Sequence, residues 1–235
     1  MTSWWPPARR KRSARWKNGC DVIVSIAREL GAGGRTVGES VAGALGAALL
    51  DERSFIDMLS RRYGLSPDFV AQHIERPPSA GERLMADLAA ATAMLPIVPA
   101  QFPAEELIVE AVRDTVIEQA RNGHVVVIGH GGVSMLGWRP NGIAVLAILL
   151  RAGRAWRVEQ LARRYAIAPG EARRRIERTD DARARYQRHY FDSDVYDCRQ
   201  YDLVLNTESL GLELATSIAT NVATVSAGAQ ARPAP

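Results

Sequence analysis

Apolar residues fall along this chain in two patterns. Five short runs are apolar at nearly every position: Asp21 to Ala27, Ala47 to Leu50, the VVVI inside HVVVIGHGG, Ile143 to Leu150, and YDLVLNT from Tyr201 to Thr207. Between them apolar residues return every third or fourth position, as Val37, Val41, Ala44 and Leu45 do within Arg35 to Gly46. Leu107, Ile108, Ala111, Val112, Thr115 and Val116 do the same between Ala104 and Gln119. The first pattern predicts strands buried on both faces and the second predicts amphipathic helices. Further helices are expected at Arg154 to Tyr165 and, strongly charged, at Pro169 to Tyr190. Strands that alternate with helices in this way imply an α/β fold, a central parallel sheet of about five strands in a three-layer arrangement. Ser54 to Leu95 is helix-rich without a convincing strand and ends in the proline-rich PIVPAQFP, so residues of about 54–103 read as a helical insertion.

Composition narrows the picture. The 235 residues are 47% apolar, enough for the core of one ordinary domain. Of the net charge of +4, six positive charges and no acid lie in the first twenty residues, which leaves 24 basic against 26 acidic groups elsewhere. The basic balance therefore belongs to a tail, and no nucleic-acid partner is expected of the folded domain. Residues 1–20 and 226–235 read as disordered ends around a folded unit of 21–225. Trp4 and Trp5 beside the tail cations allow weak contact with an anionic membrane surface, or simple disorder. Cys20 and Cys198 form no disulfide framework or metal spacing, which suits a cytoplasmic setting. The longest apolar run, Ile143 to Leu150, is too short to span a bilayer, and the tail lacks the apolar core of a secretion signal. No heptad or exposed seam sets an oligomeric state.

The chemistry concentrates at VIVSIARELGAGGRTVGESVAGALG, where a strand runs through a glycine-rich loop into a helix. Gly31, Gly33 and Gly34 let the backbone approach an anion, and the helix aims its unpaired N–H groups and positive dipole end at the same point. With Ala32, Arg35 and Thr36 these residues predict a phosphate cradle. The P-loop lysine is absent, since the chain's two lysines, Lys11 and Lys17, both lie in the tail. A cation must then come from arginine: Arg28 at the strand end, or Arg35, which sits one residue beyond the lysine position and is rotated from it by about 100°. Either arginine could instead pair with Glu29 or Glu39 at the surface.

Taken together, this loop, LLDERSF, VVVIGHGG, RAGRAWRVEQLARRY, RTDDARARYQRHYF and YDLVLNTESLGLE resemble the cytidylate kinase-like group of P-loop nucleoside-monophosphate kinases, in a subgroup with a lysine-free G-[SA]-G-G-R loop. The resemblance implies a P-loop kinase fold, ATP and Mg2+ as cofactors, a nucleotide donor with a small-molecule acceptor, and an arginine-rich lid over about 154–195. It places Thr36 as a metal or phosphate ligand, with helix capping as the alternative. It places Asp51 and Arg53 at the start of the monophosphate-binding segment, where Asp51 could equally cap a helix. Arg154 and Arg157, at i and i+3, match the arginines that open the lid and supply transition-state charge. Asp180 and Arg183 match a lid D-x-x-R that contacts the acceptor base and phosphate, with Arg185 assisting, while Asp180 could equally form a helix-surface ion pair with Arg173, Arg178 or Arg185. Arg76 and Arg83 flank a PPSAGE turn within reach of an acceptor phosphate, or are solvated. His130 stands where the family usually carries an arginine, as a substrate contact or as a turn residue. Asn206 and Thr207 end the last strand near where an adenine would lie. The expected activity is transfer of phosphoryl from ATP to a small acceptor, a pyrimidine nucleoside monophosphate foremost; the alternative is a nucleotide-binding sensor or partner-binding module on the same fold.

Overall fold

The computed structural model describes residues 21–74, 105–137 and 143–230. The strands are β1 (Val22–Arg28), β2 (Ala48–Leu50), β3 (Val125–Ile128), β4 (Ala144–Arg151) and β5 (Leu203–Asn206). They form one sheet in the order β2-β3-β1-β4-β5, with every neighbouring pair parallel. The helices are α1 (Gly34–Leu45), α2 (Glu52–Tyr63), α3 (Pro67–His73), α4 (Glu105–Ala120) and α5 (Gly132–Leu136). They continue as α6 (Arg154–Tyr165), α7 (Pro169–Phe191), α8 (Thr207–Leu210) and α9 (Leu212–Gln230).

The continuous apolar runs separate onto two faces because side chains alternate along a strand. Val22, Val24 and Ile26 of β1 join Val37 and Val41 of α1 and the alanines of α9 in one core. Ile23 points the other way, into a core with Phe55 and Leu59 of α2, Val112 and Val116 of α4, and Met135 of α5. These two cores are the interfaces of a three-layer fold. A smaller cluster, Val158 and Leu161 of α6 with Ala172 and Ile176 of α7, packs the two charged helices together and against Leu30.

Two local expectations are corrected. Ala44 is exposed, and Ala42 is buried in its place on the inner side of α1. The chain does not stop folding at Val225, because α9 runs on to Gln230. Ala215, Ala219, Ala223 and Ala227 recur every fourth residue and are 0–8% exposed, so small side chains form the buried stripe that composition alone reads as a low-complexity end. Residues 1–20, most of the insertion with Arg76 and Arg83, and residues 231–235 lie outside the described residues. Among those described, no helix is long and apolar enough to cross a membrane.

The topology fixes where a ligand can sit. The connection leaving β1 runs toward β2 on one side of the sheet, while those leaving β3 and β4 run toward β4 and β5 on the other. Connections diverge at the carboxyl end of β1, which opens a crevice there.

Candidate functional site

The loop from Arg28 to Gly34 occupies that crevice. Gly31 and Gly33 take φ of +90° and +83°, and Gly33 is the N-cap of α1 without a side chain to cap it. The first α-helical bond runs from the Val37 N–H to the Gly33 carbonyl at 3.1 Å. The N–H groups of Gly34, Arg35 and Thr36 therefore have no intrahelical acceptor. No acid lies in the first turn of α1, so its positive end is not neutralised locally.

This helix start opens into a cleft of about 570 Å³. Five arginines line the cleft, Arg28, Arg35, Arg53, Arg164 and Arg183, against three acids, Glu29, Asp51 and Glu52. Cationic excess, peptide N–H groups and glycine-permitted close approach together favour an extended anion such as a polyphosphate. Thr36 is exposed on the cleft wall. Among the described residues no three His, Cys, Asp or Glu side chains group to hold a metal. Thr36 and Asp51 supply oxygen ligands of the sort magnesium uses when phosphates and water complete its shell.

The remaining expected residues divide sharply. Half-buried Arg28 lies at the strand end on the cleft wall, its stem packed over Gly34. Arg35 is committed to carboxylates: Nε donates to Glu39 at 2.9 Å and one Nη to Asp51 at 3.3 Å. The Glu39 hydrogen bond and then the Asp51 charge raise its affinity for the proton further. Asp51 caps α2, accepting from the Ser54 N–H and hydroxyl, both at 3.0 Å. Burial pushes its carboxyl up, but the two Ser54 bonds and Arg35 outweigh that and hold it below its ordinary value. Asp51 is thus both a cap and a wall of the cleft. Arg53 is exposed on the same wall.

Several expected contacts are elsewhere. Ala32 is buried beneath the loop and does not line the cleft. Arg154 is exposed, pairs with Glu177 at 3.3 Å and lies off the cleft wall. Arg157, expected to supply transition-state charge, is 6% exposed and engaged within the fold. Asp180, expected on the acceptor, accepts from the Leu30 N–H at 2.9 Å and from Arg157 at 2.6 Å. Arg183 does reach the cleft, donating to the Arg28 carbonyl at 3.4 Å. Arg185 is exposed and off the cleft wall. His130 is fully buried at φ +55°, its ring edge-on to Phe55 at 4.6 Å, where no ligand in the cleft touches it. Asn206 caps α8 by accepting from the Glu208 and Ser209 N–H groups. Thr207 is buried and donates to the Arg151 carbonyl at 3.2 Å.

Arg164 was not among the residues expected at the site. The structure instead presents Trp156, Gln160 and Arg164 to the cleft. Their i, i+4, i+8 spacing is the signal that a helical face was involved. Tyr196 lies off the cleft wall; burial, then the Asp180 and Glu29 charges, push its phenol up to about 12.

A family model described as the cytidylate kinase-like family matches residues 23–209. A search of curated proteins finds no match. Among solved structures, an uncharacterized protein from Eubacterium ventriosum superposes with TM-score 0.59 at 14% identity, over 87% of this chain and 99% of that one. The protein TT1252 from Thermus thermophilus superposes with TM-score 0.50 at 16% identity, over 88% and 97%. A gluconokinase from Sinorhizobium meliloti aligns at 11% identity and TM-score 0.46, over 91% and 95%. These structural likenesses concern the fold.

Proposed function

The chain belongs to the cytidylate kinase-like family, and from that premise we propose that it is a phosphotransferase moving the terminal phosphoryl of ATP, with magnesium, to a small acceptor. A pyrimidine nucleoside monophosphate is the acceptor class to which its sequence points. The observation that carries the reading is the uncapped start of α1 and its glycine loop, opening onto a cleft with five arginines on its walls.

Phosphoryl transfer asks the protein for positioning and for positive charge around the transferring oxygens. The N–H groups of Gly34, Arg35 and Thr36 bind the donor phosphates. Arg28 and Arg183 take over the work of the missing lysine, and arginine gives them a permanent, bidentate charge. Arg164 supplies a further cation from α6, since Arg154 is tied to Glu177 and Arg157 is buried. Thr36 would help hold magnesium, which would supply positive charge to the phosphates.

A nucleotide-binding module without useful catalysis is the second reading. It is favoured by Arg35, the cation nearest the lysine position, being held by Glu39 and Asp51. ADP release from ATP and magnesium, measured across CMP, dCMP, UMP, AMP, GMP and an acceptor-free control, separates the two. Acceptor-dependent turnover is expected. Silence with an ATP-induced rise in melting temperature supports the module, and silence without one ends the phosphate-cradle reading.

A further inference from the structure

Four residues of the glycine loop form a tight turn, in which the Ala32 N–H donates to the Glu29 carbonyl at 3.1 Å. Gly31, third in the turn, has φ +90°, while Leu30 is absent from the residues with positive φ. That combination is a type II turn, and its central peptide joins Leu30 to Gly31. In the commoner type I turn the same peptide faces the other way. Which way it faces decides where the Gly31 N–H points, because C=O and N–H of a trans peptide lie on opposite sides.

The two polar groups of Leu30 are held by the two members of one buried ion pair. The Leu30 N–H donates to Asp180 Oδ1 at 2.9 Å, and Arg157 Nη1 donates to the Leu30 carbonyl at 3.1 Å. The same Arg157 nitrogen donates to Asp180 Oδ2 at 2.6 Å. Arg157 Nε donates to the Ala152 carbonyl at 3.0 Å, and the Ala152 N–H donates to Glu29 at 2.9 Å. The Arg157 and Asp180 side chains are 7% and 12% exposed, so neither is available to a ligand as the chain stands. A Cβ on Gly31 would lie 2.9 Å from the Arg157 carbonyl oxygen, so the loop is seated directly on α6.

We propose that Arg157 and Asp180 are positioning residues that fix the Leu30–Gly31 peptide in its type II orientation and so set the anion-binding face of the loop. The proposal rests on the reading that this loop takes the phosphates of ATP. Arg157 comes from α6 and Asp180 from α7, so the geometry of the cradle depends on both charged helices remaining docked. Arg157 keeps the Leu30 carbonyl on its own side and turns the Gly31 N–H to the other. Without the pair the peptide is free to flip, which would set a carbonyl where an N–H should meet an anion.

The test compares the Asp180→Ala, Asp180→Asn, Arg157→Lys and Glu177→Gln variants with the native chain. Mg·ATP affinity is measured by calorimetry at a temperature where circular dichroism shows each folded, and Leu30 amide exchange is measured without ligand. Asp180→Ala is expected to weaken ATP by about 10- to 100-fold, the scale of one lost hydrogen bond to a charged group, and to speed Leu30 exchange. Asp180→Asn keeps an acceptor for the Leu30 N–H and recovers part of both. Glu177→Gln, on the same helix but off the loop, leaves both unchanged. Unaltered ATP affinity in folded Asp180→Ala overturns the proposal. Should that variant not fold, unaltered affinity in both Asp180→Asn and Arg157→Lys does so. A native chain that binds no ATP fails the phosphate reading instead, while Leu30 exchange still reports whether Asp180 holds the Glu29–Leu30 peptide next to it.

Discussion

The turns after β1 and β3 look alike in sequence and differ in what surrounds them. Each follows a buried apolar strand, each is glycine-rich, and each leads into a helix whose N-cap glycine offers no side-chain cap. Positive φ recurs in both, at Gly31 and Gly33 in one and at Gly129, His130 and Gly131 in the other. After β1 the helix start faces a cleft of about 570 Å³. After β3 the space against the turn is about 30 Å³, room for a water or two, and a Cβ on Gly131 would collide with Phe191 of α7. His130 is turned into the core against Phe55, and Gln187 of α7 donates to Ser134 just beyond the turn. A glycine turn can serve as an anion site only where neighbouring elements leave its N–H groups exposed.

The sharpest test of that difference lies in the arginines. Arg28→Ala is expected to lower turnover by about 10²- to 10³-fold, as loss of a preorganised charged donor does, whereas Arg154→Ala, off the cleft, changes it at most a few-fold. Equal losses in steady-state assays would show that the cleft wall is not the divide. Next come the glycines. Gly31→Ala is expected to reduce ATP affinity by about 10- to 100-fold, the scale of a lost hydrogen bond to a charged group, because the new Cβ meets a backbone oxygen at an unfavourable φ. Gly131→Ala should leave that affinity intact and cost about 1–3 kcal/mol of stability through overpacking. If Gly131→Ala weakens ATP as much in calorimetry, the two turns are not separate in function.

His130→Ala should lower stability by about 2–4 kcal/mol in denaturant titrations, the cost of emptying a core position, with the KM of any acceptor unchanged; a raised acceptor KM would return His130 to the substrate. Asp51→Ala has the smallest expected effect on stability, about 1 kcal/mol for a lost cap. Because the Asp51 carboxyl is held below its ordinary value of 3.8, its stabilisation is present above that pH and disappears as pH falls through the lower folded value. Native and variant stabilities should therefore converge in strong acid, and a gap that persists there would mean the carboxylate charge is not what stabilises α2.

The strands and most helices were legible because periodicity is a property of neighbours in sequence. Arg154–Tyr165 was bounded to the residue, and the glycine loop was placed from its order between strand and helix. Arg157 was legible as a cation and illegible as a clamp. Its spacing from Arg154 puts both on one side of α6, but which arginine is buried depends on α7 and the loop packing there. Asp180 was read as a ligand contact or a helix-surface ion pair, because nothing local reveals that Leu30, far back in the chain, supplies its partner. The end of α9 was missed because alanines carry little hydropathy contrast, although every fourth one is buried.

By itself, the sequence determined the α/β class, the glycine loop between strand and helix, the absence of a lysine from it and the chain's supply of arginines. Those are matters of composition and local order along one segment. The tertiary structure alone decided which arginines face the cleft, which turn stays open, and that Asp180 and Arg157 hold a peptide of the loop. Each of those depends on contacts between segments far apart in the chain, and burial turns the same residue type from a ligand into a support.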